Sequence, residues 1–314
     1  MKAALSLDLD NKWSYMKTHG DPGWRNFPSY LDIVVPRALE LLESHGLRIT
    51  FFIVGQDADI ADNAEILRSI PLHGHEVGNH SFHHEPWLHR RSEAEIDLEL
   101  HQAENSIENA TGRRPCGFRG PGFVRSDTLL RVLVQRGYLY DASSLPTFIG
   151  PLARAYYFKS TKLDKAARDE RHDLFGKFAD GFELNRHHRI DTASGPIEEI
   201  PVTTMPGLRL PIHISYVLYI ATISPRLALA YFRCALELCR LTGTEPSILL
   251  HPLDFIDERE CPELRFFPAM NLKTDVKVGI VDKTIRMLTS AFDVVPVVDF
   301  SESFKKKVAI EAKA

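Results

Sequence analysis

Short apolar runs alternate with amphipathic helical segments along most of this chain, and this alternation constrains the fold more than any other feature. The pattern predicts strands joined by helices, which assemble into a parallel sheet or a barrel of seven or eight β/α units. The first strand candidate is AALSLDLD, and the later ones are ITFFIVG, HEVGNH, PCGFR, GYLYDAS, EEIPVT, SILLH and FDVVPVV. The chain is therefore predicted to belong to the α/β class.

Helix signals lie between these strands. Ser29 is a candidate N-cap for a helix that leads to the strand ITFFIVG. Ser92 and Glu95 have the spacing of a capping box, in which each side chain binds the other residue's backbone N–H. Ser126 is a candidate N-cap for a further helix. These positions support the predicted alternation of strands and helices.

Two segments depart from this rhythm. Residues 150–195 are charged and rich in turn residues without a clear period, which predicts an insertion or lid and not a second domain. Residues 208–223 are mostly apolar, but Arg209, Pro211 and His213 make the run too broken to span a bilayer. The charges of the next helix, residues 225–241, fall on one narrow stripe. Most of that helix is therefore predicted to be buried against the barrel wall or against a lipid or partner surface.

Composition excludes some classes of protein. Apolar residues make up 44% of the chain, charged residues 25%, and the formal net charge is -4, so no basic field for nucleic acid is expected. The four cysteines show no CxxC spacing, which favours free thiols in a reducing compartment. Asp8 interrupts the first apolar stretch too early for the hydrophobic region of a signal peptide. A cytoplasmic location is the resulting expectation.

Several predicted strands end in ionisable residues. Because the carboxyl ends of parallel β/α strands meet at one mouth of the fold, these side chains are expected to lie together where such folds place their active sites. In the first strand, alternation also puts both carboxylates on one face. The strand-end residues are Asp8 and Asp10 of LSLDLD, His80 and His84 of HSFHH, Arg119 of PCGFR, and His251 of SILLH.

A shared metal ion would explain this group of charges. One aspartate with two histidines supplies three ligands and leaves positions open for water and substrate, as in catalytic zinc sites. The second carboxylate would then be available as a general base. Without an ion, each buried charged group would need a separate partner. Iron oxygenases use the same ligand set, but usually in double-sheet β folds, which this alternating pattern does not indicate.

The motifs LSLDLD, HSFHH, RGPGF, YDASS and LLHPLDF, in this order and spacing, resemble the five motifs of the polysaccharide deacetylase family with its NodB-homology domain. The resemblance covers roughly residues 3–300. It implies a distorted (β/α) barrel of about seven units, in a single catalytic domain over residues 1–314. It also implies a metal-dependent hydrolase that removes acetyl groups from amino sugars.

The resemblance implies a role for each motif residue. The metal is expected to be Zn²⁺, with Co²⁺, Ni²⁺, Mn²⁺ and Fe²⁺ left open by the spacing. By this resemblance, His80, His84 and Asp10 are the metal ligands, Asp8 is the catalytic base, Arg119 orients that base, His251 is the general acid, and Gly122 offers a backbone N–H to the oxyanion.

This sequence also departs from the family pattern. Asp8 and Asp10 stand two apart where the family usually has adjacent aspartates, which is similar to a divergent branch with lipid-linked aminoarabinose deformylases and allantoinase-like or peptidoglycan deacetylase-like members. RGPGF lacks the tyrosine of many sugar-polymer enzymes, and YDASS lacks the usual Asp-Trp pair. Asp141 is therefore expected either to support the acid histidine or to cap its own loop.

The expected substrate is an N-acetylated or N-formylated amino sugar. The apolar region of residues 205–241 suggests that this sugar is carried on a polyprenyl phosphate, with the enzyme peripheral at the inner membrane face. A small cyclic amide, as in the allantoinase-like relatives, is the alternative substrate. A non-catalytic sugar-binding protein is a further alternative, but such a protein would need neither the base Asp8 nor the acid His251. The sequence does not indicate an oligomeric state.

Overall fold

A computed structural model of the chain describes residues 1–161, 163, 165–172 and 174–311. The strands are β1 (Lys2–Leu9), β2 (Thr50–Ile53), β3 (Glu76–Asn79), β4 (Gly117–Phe118), β5 (Tyr140–Asp141), β6 (His188–Thr192), β7 (Gly195–Glu199), β8 (Ser247–Leu250) and β9 (Asp293–Val295). The helices are α1 (Lys12–His19), α2 (Leu31–Ser44), α3 (Gly55–Ala58), α4 (Ala64–Leu72), α5 (Glu93–Thr111), α6 (Asp127–Gln135), α7 (Gly150–Ser160), α8 (Lys165–Glu170), α9 (Ile214–Ala221), α10 (Pro225–Leu241), α11 (Thr274–Ala291) and α12 (Val297–Glu311).

The sheet is a parallel β/α sheet that curves into an incompletely closed barrel. Its strands run parallel in the order β7-β5-β4-β3-β2-β1-β8, while β9 pairs with the start of β1 and β6 runs antiparallel to β7. In the described part of the chain no ladder joins β7 to β8. The Thr203 N–H instead donates to the Ser247 carbonyl at 2.9 Å, and the Ser247 N–H donates to the Thr203 hydroxyl at 2.8 Å. The predicted α/β class and distorted barrel are confirmed.

The two faces of β1 contact different cores, as its alternation predicted. Leu5, Leu7 and Leu9 are buried in the large cluster that the surrounding helices share. Ala4, on the opposite face, packs in a smaller cluster with residues of β2, β5 and α12, among them Phe300. The second face points into the barrel, and Asp8 lies on this face.

The predicted helix caps are largely confirmed. The capping box of Ser92 and Glu95 opens α5, and the Ser126 hydroxyl accepts a hydrogen bond from the Leu129 N–H at the start of α6. Ser29 is one residue away from its predicted position, because Tyr30 is the N-cap of α2. The Ser29 hydroxyl still accepts a hydrogen bond from the first N–H of that helix at 3.2 Å.

Three strand predictions need correction. The strand predicted at EEIPVT begins earlier, as β7, and ends at Glu199. In FDVVPVV only residues 293–295 are extended, because Pro296 has no N–H for a ladder and α12 begins after it. Strand β6 was not predicted, since HRIDT has no apolar run and its residues are half-buried or exposed at the sheet edge.

Residues 150–195, predicted to form an insertion or lid, follow β5 and contain α7, α8 and β6. Residues 162, 164 and 173 of this segment lie outside the described residues, as do residues 312–314 of the predicted domain. The hydroxyl of Tyr157 and the guanidinium of Arg171 both donate to the Thr18 carbonyl at the end of α1. The segment therefore packs across the helix that follows β1.

Helix α10 is an ordinary amphipathic helix of the barrel wall. It packs against α9 and α11, and its buried face consists of Ala228, Phe232, Ala235, Leu236 and Cys239. The prediction that most of its circumference is buried is wrong, because Ala230 and Cys234 lie exposed beside the charged residues. Within the described ranges, no helix is both long and apolar enough to cross a bilayer.

Candidate metal centre and active site

Three of the predicted ligands converge where β1 and β3 end. Asp10 follows β1, His80 follows β3, and His84 lies in the next turn. One carboxylate oxygen and one nitrogen of each imidazole lie within 4.8 Å of one another, and all three residues are buried. This is the aspartate and two-histidine set that the motifs predicted.

Local backbone contacts hold these ligands in place. The Tyr30 hydroxyl donates to the Asp10 carbonyl at 2.6 Å. His84 is not on a helix, although it lies four residues after His80. It has a φ of 51°, and its N–H donates to the Ser81 hydroxyl at 3.1 Å. A tight turn therefore brings the second imidazole back toward the first.

The protonation of His80 indicates that the three ligands suit a cation. Its Nδ1 lies 2.7 Å from the Arg119 carbonyl, which can only accept a hydrogen bond, so Nδ1 carries the proton and neutral His80 has its lone pair on Nε2. That Nε2 lies 3.2 Å from Asp10 Oδ1, and His84 Nε2 lies 2.9 Å from the same oxygen. No described group donates an aligned hydrogen bond to this oxygen. The Nε2 lone pair of neutral His80 therefore faces a carboxylate oxygen in a buried site, an arrangement that fits a shared divalent ion.

The electrostatics of the three residues agree with this ligand set. Burial alone would raise the pKa of Asp10, but His84 and His80 hold it well below its usual range. Burial lowers the pKa of His84 by more than Asp10 raises it. For His80 the balance is opposite, since the carboxylates of Asp8 and Asp10 outweigh burial and raise its pKa. The attraction between the Asp10 carboxylate and the two buried imidazoles therefore opposes the effect of burial at all three residues.

Asp8 is held by a buried arginine. Arg119 is fully buried, and its Nη1 lies 2.7 Å from Asp8 Oδ1 and 2.8 Å from the Ser6 hydroxyl. Its Nε donates to the Ala142 carbonyl at 2.9 Å, and its guanidinium lies 4.3 Å from the Phe52 ring centre. Arg119 therefore fixes the position of Asp8 and pairs it with a buried cation.

His251 lies beside β1 at the same end of the sheet. Leu250, the last residue of β8, pairs with Leu7, so His251 comes level with Asp8 on the neighbouring strand. His251 Nδ1 lies 2.9 Å from the Ser215 hydroxyl, which donates to Asp254 Oδ1 at 2.7 Å. Sequence reasoning assigned no role to Ser215 or Asp254. Asp254 was visible within the motif LLHPLDF, whereas Ser215 belongs to a different element and has no local signal.

Gly122 lies in a turn that favours glycine. Its φ is 70°, and a Cβ at this position would come within 3.0 Å of the Pro86 Cβ and 3.4 Å of Leu174 Cδ1. The turn is held from the side by Ser143, whose hydroxyl accepts a hydrogen bond from the Gly120 N–H at 2.8 Å. The backbone at residue 122 therefore carries no side chain that would block a ligand, and the turn holds the direction of its N–H.

Asp141 ends β5 and holds the same turn. It accepts a hydrogen bond from the Ser143 hydroxyl at 2.5 Å. Burial, and next to it the neighbouring Glu199 carboxylate, raises the pKa of Asp141 well above its ordinary value. The described partner of His251 Nδ1 is Ser215, whereas the contacts of Asp141 are with Ser143 and Glu199.

Comparison with known proteins shows which family part of the chain resembles. Residues 21–140 match the family model described as "Polysaccharide deacetylase". This part of the chain is similar to polysaccharide deacetylases. The matched range includes His80, His84, Arg119 and Gly122, while the other predicted site residues lie outside it.

Curated relatives match this chain over part of their length. The peptidoglycan deacetylase of Helicobacter pylori is 31% identical over 112 residues, which are 36% of this chain and 37% of that protein. The chitooligosaccharide deacetylase of Azorhizobium caulinodans is 35% identical over 92 residues, 29% of this chain and 39% of that protein. The matches thus cover less than two fifths of either relative.

Solved structures of the same fold match over nearly the whole chain. A structure from Mycobacterium smegmatis, assigned as a polysaccharide deacetylase, has a TM-score of 0.63 at 17% identity and covers 98% of this chain and 92% of that one. The allantoinase PuuE has a TM-score of 0.59 at 16% identity and covers 96% of this chain and 90% of its own. At these identities the likeness establishes the shared fold.

Proposed function

We propose that this chain is a metal-dependent hydrolase that removes the N-acyl group, acetyl or formyl, from an amino sugar. The observation that carries the proposal is the convergence of Asp10, His80 and His84. Their shared point is the Asp10 Oδ1 oxygen, which is buried and has no hydrogen-bond donor among the described residues. The Asp8–Arg119 pair lies on the adjoining strand ends, and the relatives named above are deacetylases of peptidoglycan and chitooligosaccharides.

The proposed roles divide the work among the chain's own residues. Asp10, His80 and His84 would hold the ion, with Zn²⁺ as the expected metal. A divalent cation bound there would polarise an acyl carbonyl and lower the pKa of a water molecule. Asp8, held by Arg119, is the general base that accepts a proton from the attacking water. His251 donates a proton to the departing amine, and the Gly122 N–H donates to the oxyanion.

The test is release of the acyl group together with metal content. The purified protein, stripped with a chelator and reloaded with each candidate metal, is incubated with N-acetylated chitooligosaccharides and peptidoglycan fragments, and free acetate and formate are measured. We expect release only after reloading, and the same loss of release in His84→Ala. His73→Ala, an exposed histidine replaced at the surface, is the matched control. Metal-independent release would contradict the proposal.

A cyclic amide is the second candidate substrate, because the allantoinase PuuE shares this fold. The site residues that hold a metal and move protons would serve both reactions, so product analysis must separate them. Allantoin is added to the same panel, and ring opening is followed by loss of substrate. If allantoin is turned over and no acetate or formate is released from the amino sugars, the proposed substrate would be the cyclic amide and not the amino sugar.

The carrier of the sugar is a finer part of the proposal. Phe178 and Phe182 are 59% and 74% exposed, and both rings contact Phe148, which follows β5. The neighbouring Thr147 hydroxyl donates to the Arg209 carbonyl at 2.7 Å, beside Leu208, which is 61% exposed. This apolar surface would suit a polyprenyl-phosphate tail at a cytoplasmic membrane face.

The experiment compares kcat/KM for the same N-acyl sugar with and without the lipid tail, in detergent. Each buried methylene contributes about 0.8 kcal/mol, so even two would favour the tailed substrate roughly tenfold. Phe182→Ser should remove part of that preference and leave the untailed substrate unaffected. Equal kcat/KM values for the two substrates would rule out the lipid carrier and leave the deacetylase chemistry untouched.

Residues 150–195 are proposed to cover the site within a single catalytic domain. Leu174 is 3% exposed and packs against the turn at Gly122, and the Arg171 guanidinium lies 4.8 Å from the Trp87 ring centre. Both contacts bring the segment over the strand-end loops. If the segment is a cover, hydrogen exchange in residues 165–176 should change when an N-acetylated oligosaccharide binds, while exchange in α11 should not. Unchanged exchange in residues 165–176 would contradict this role.

A further inference from the structure

His251 belongs to a hydrogen-bonded chain of three side chains. The Ser215 hydroxyl has a single proton, which it donates to the Asp254 carboxylate at 2.7 Å. It can therefore only accept from His251, so the 2.9 Å contact places a proton on His251 Nδ1. Nε2 then remains as the nitrogen that exchanges a proton with another group.

The far end of this chain is fixed. Asp254 is 1% exposed, and its second oxygen accepts a hydrogen bond from the His251 backbone N–H at 2.8 Å. Lys277, itself 1% exposed, donates to the Leu253 and Ile256 carbonyls at 2.8 and 2.7 Å. The loop that carries Asp254 is therefore held from both sides, and the carboxylate cannot follow the imidazole if that ring rotates.

Ser215 comes from another element than the groups it joins. It lies in the first turn of α9, whereas His251 and Asp254 follow β8. Burial, with His251 as the smaller contribution, lowers the pKa of the adjacent His213 to about 3, so His213 is neutral near pH 7. Tyr15, which also faces Asp254, has its pKa raised well above its usual value, mainly by burial, and is neutral as well. Burial raises the pKa of the Asp254 carboxyl and lowers that of Lys277, the nearby cation that acts on it, to about 8.

We propose that Ser215 is a positioning residue that joins the acid histidine His251 to the carboxylate of Asp254 and so fixes the tautomer and ring orientation of His251. This inference rests on the proposed function, in which His251 protonates the departing amine. A deacetylase without the Ser215 hydroxyl would keep its metal ligands and its base, but the ring of its acid histidine would lose its fixed orientation and tautomer.

The test uses the full chain with ¹⁵N-labelled histidine, and NMR follows His251, assigned by its loss in His251→Gln. In the wild-type protein we expect neutral His251 to be protonated at Nδ1. Ser215→Ala should mix the two tautomers, because the acceptor of the Nδ1 proton is lost. Ser215→Thr keeps a hydroxyl and should restore the Nδ1 tautomer. Ser290→Ala, the same substitution at an exposed position of α11, is the control that should leave the tautomer unchanged.

Kinetics on the acetylated sugar complete the test. Ser215→Ala should lower kcat by roughly 10- to 100-fold with little change in KM, and Ser215→Thr should recover most of the loss. An unchanged tautomer in Ser215→Ala would overturn the hydrogen-bonded chain, and an unchanged kcat would overturn its role in catalysis. Altered NMR signals together with a wild-type protein that releases no acyl group would instead contradict the proposed function.

Discussion

Asp8 and Asp10 stand two residues apart on one face of the same strand end, yet their surroundings differ. Asp10 Oδ1 faces the two imidazoles, while Asp8 Oδ1 faces the guanidinium of Arg119. A carboxylate that shares its oxygen with two imidazoles suits a metal ligand, whereas one with a cationic partner suits a general base. The difference in neighbours, and not in residue type, separates the two proposed roles.

The two roles predict opposite effects of the same substitution. Asp10→Asn should lower the bound metal, because a neutral amide oxygen is a weaker ligand than a carboxylate. Asp8→Asn should keep the metal and lose at least about a hundredfold in rate, as expected when a general base is removed. Metal analysis and acetate release on the two variants check this. If Asp8→Asn lost the metal and Asp10→Asn kept it, the assignments would be reversed.

At the level of elements, turns and loops at the strand ends decide what reaches the site. The turn at Gly122 and the helix terminator Gly112 both have φ near 70°, so alanine would strain the backbone equally at either position. The two positions differ in the space around an added Cβ. At residue 122 this atom would lie 3.0 Å from the Pro86 Cβ, whereas at residue 112 it would have no neighbour within 4 Å.

Gly122→Ala and Gly112→Ala therefore form a matched pair. Each should destabilise the fold by about 1 kcal/mol through the positive φ. Gly122→Ala should lose additional stability through the contact with Pro86, and its kcat should fall if the Gly122 N–H donates to the oxyanion as proposed. Thermal unfolding and acetate release measure the two effects. Equal melting temperatures and equal kcat values in both variants would show that the space around Gly122 does not matter.

The start of α11 depends on a buried carboxylate. Asp257 is 1% exposed and accepts a hydrogen bond from the Thr274 N–H at 2.8 Å. Hydrogen bonds from the Arg259 side chain, more than this N–H, lower the pKa of Asp257. A folded-state pKa below the unfolded value of about 3.9 adds stability that is present above that value and lost as the pH falls further.

Asp257→Asn should therefore destabilise the protein by about 1–2 kcal/mol at pH 7, as does loss of a helix cap. The difference from wild type should shrink as the pH falls below about 4, because protonation removes the same charge from the wild-type protein. Urea unfolding at pH 7 and pH 3 measures it. Asp62→Asn, at an exposed position, is the control with little effect at either pH. A constant difference across this range would contradict the linkage.

At the scale of the whole molecule, the proposed metal joins segments that are distant in the sequence. Asp10 comes from the end of β1, and His80 and His84 come from the end of β3. An ion bound only by the folded state stabilises it in proportion to the logarithm of its concentration, by about 2.7 kcal/mol at one hundred times the dissociation constant. Metal binding and global stability should therefore be coupled.

We expect added Zn²⁺ to raise the melting temperature of the chelator-treated wild-type protein, with a larger rise at higher concentration. His84→Ala should lose most of this rise, while His73→Ala should keep it. Differential scanning calorimetry at several metal concentrations provides the measurement. A melting temperature that rises equally in His84→Ala would place the stabilising ion elsewhere.

The sequence by itself determined the class of fold and most members of the site. Alternating leucines in β1 put Asp8 on the inner face because side chains alternate along any strand, and the helix caps at Ser92 and Ser126 depend only on nearby residues. The motif residues at the ends of β1, β3, β4 and β8 were predicted for the same reason, since parallel strands bring their carboxyl ends to one mouth. The roles assigned to them remain predictions.

Only the tertiary structure decided how distant residues meet. Ser215 reaches His251 from a helix 36 residues earlier, and Asp141 lies against Glu199 because β5 pairs with β7. The edge strand β6 also depended on a neighbour, since its pairing with β7 defines it. Local periodicity determines which face of a strand or helix a side chain lies on. Long-range pairing determines which side chain it contacts there. That contact sets the pKa, tautomer and orientation of the side chain, on which the proposed chemistry depends.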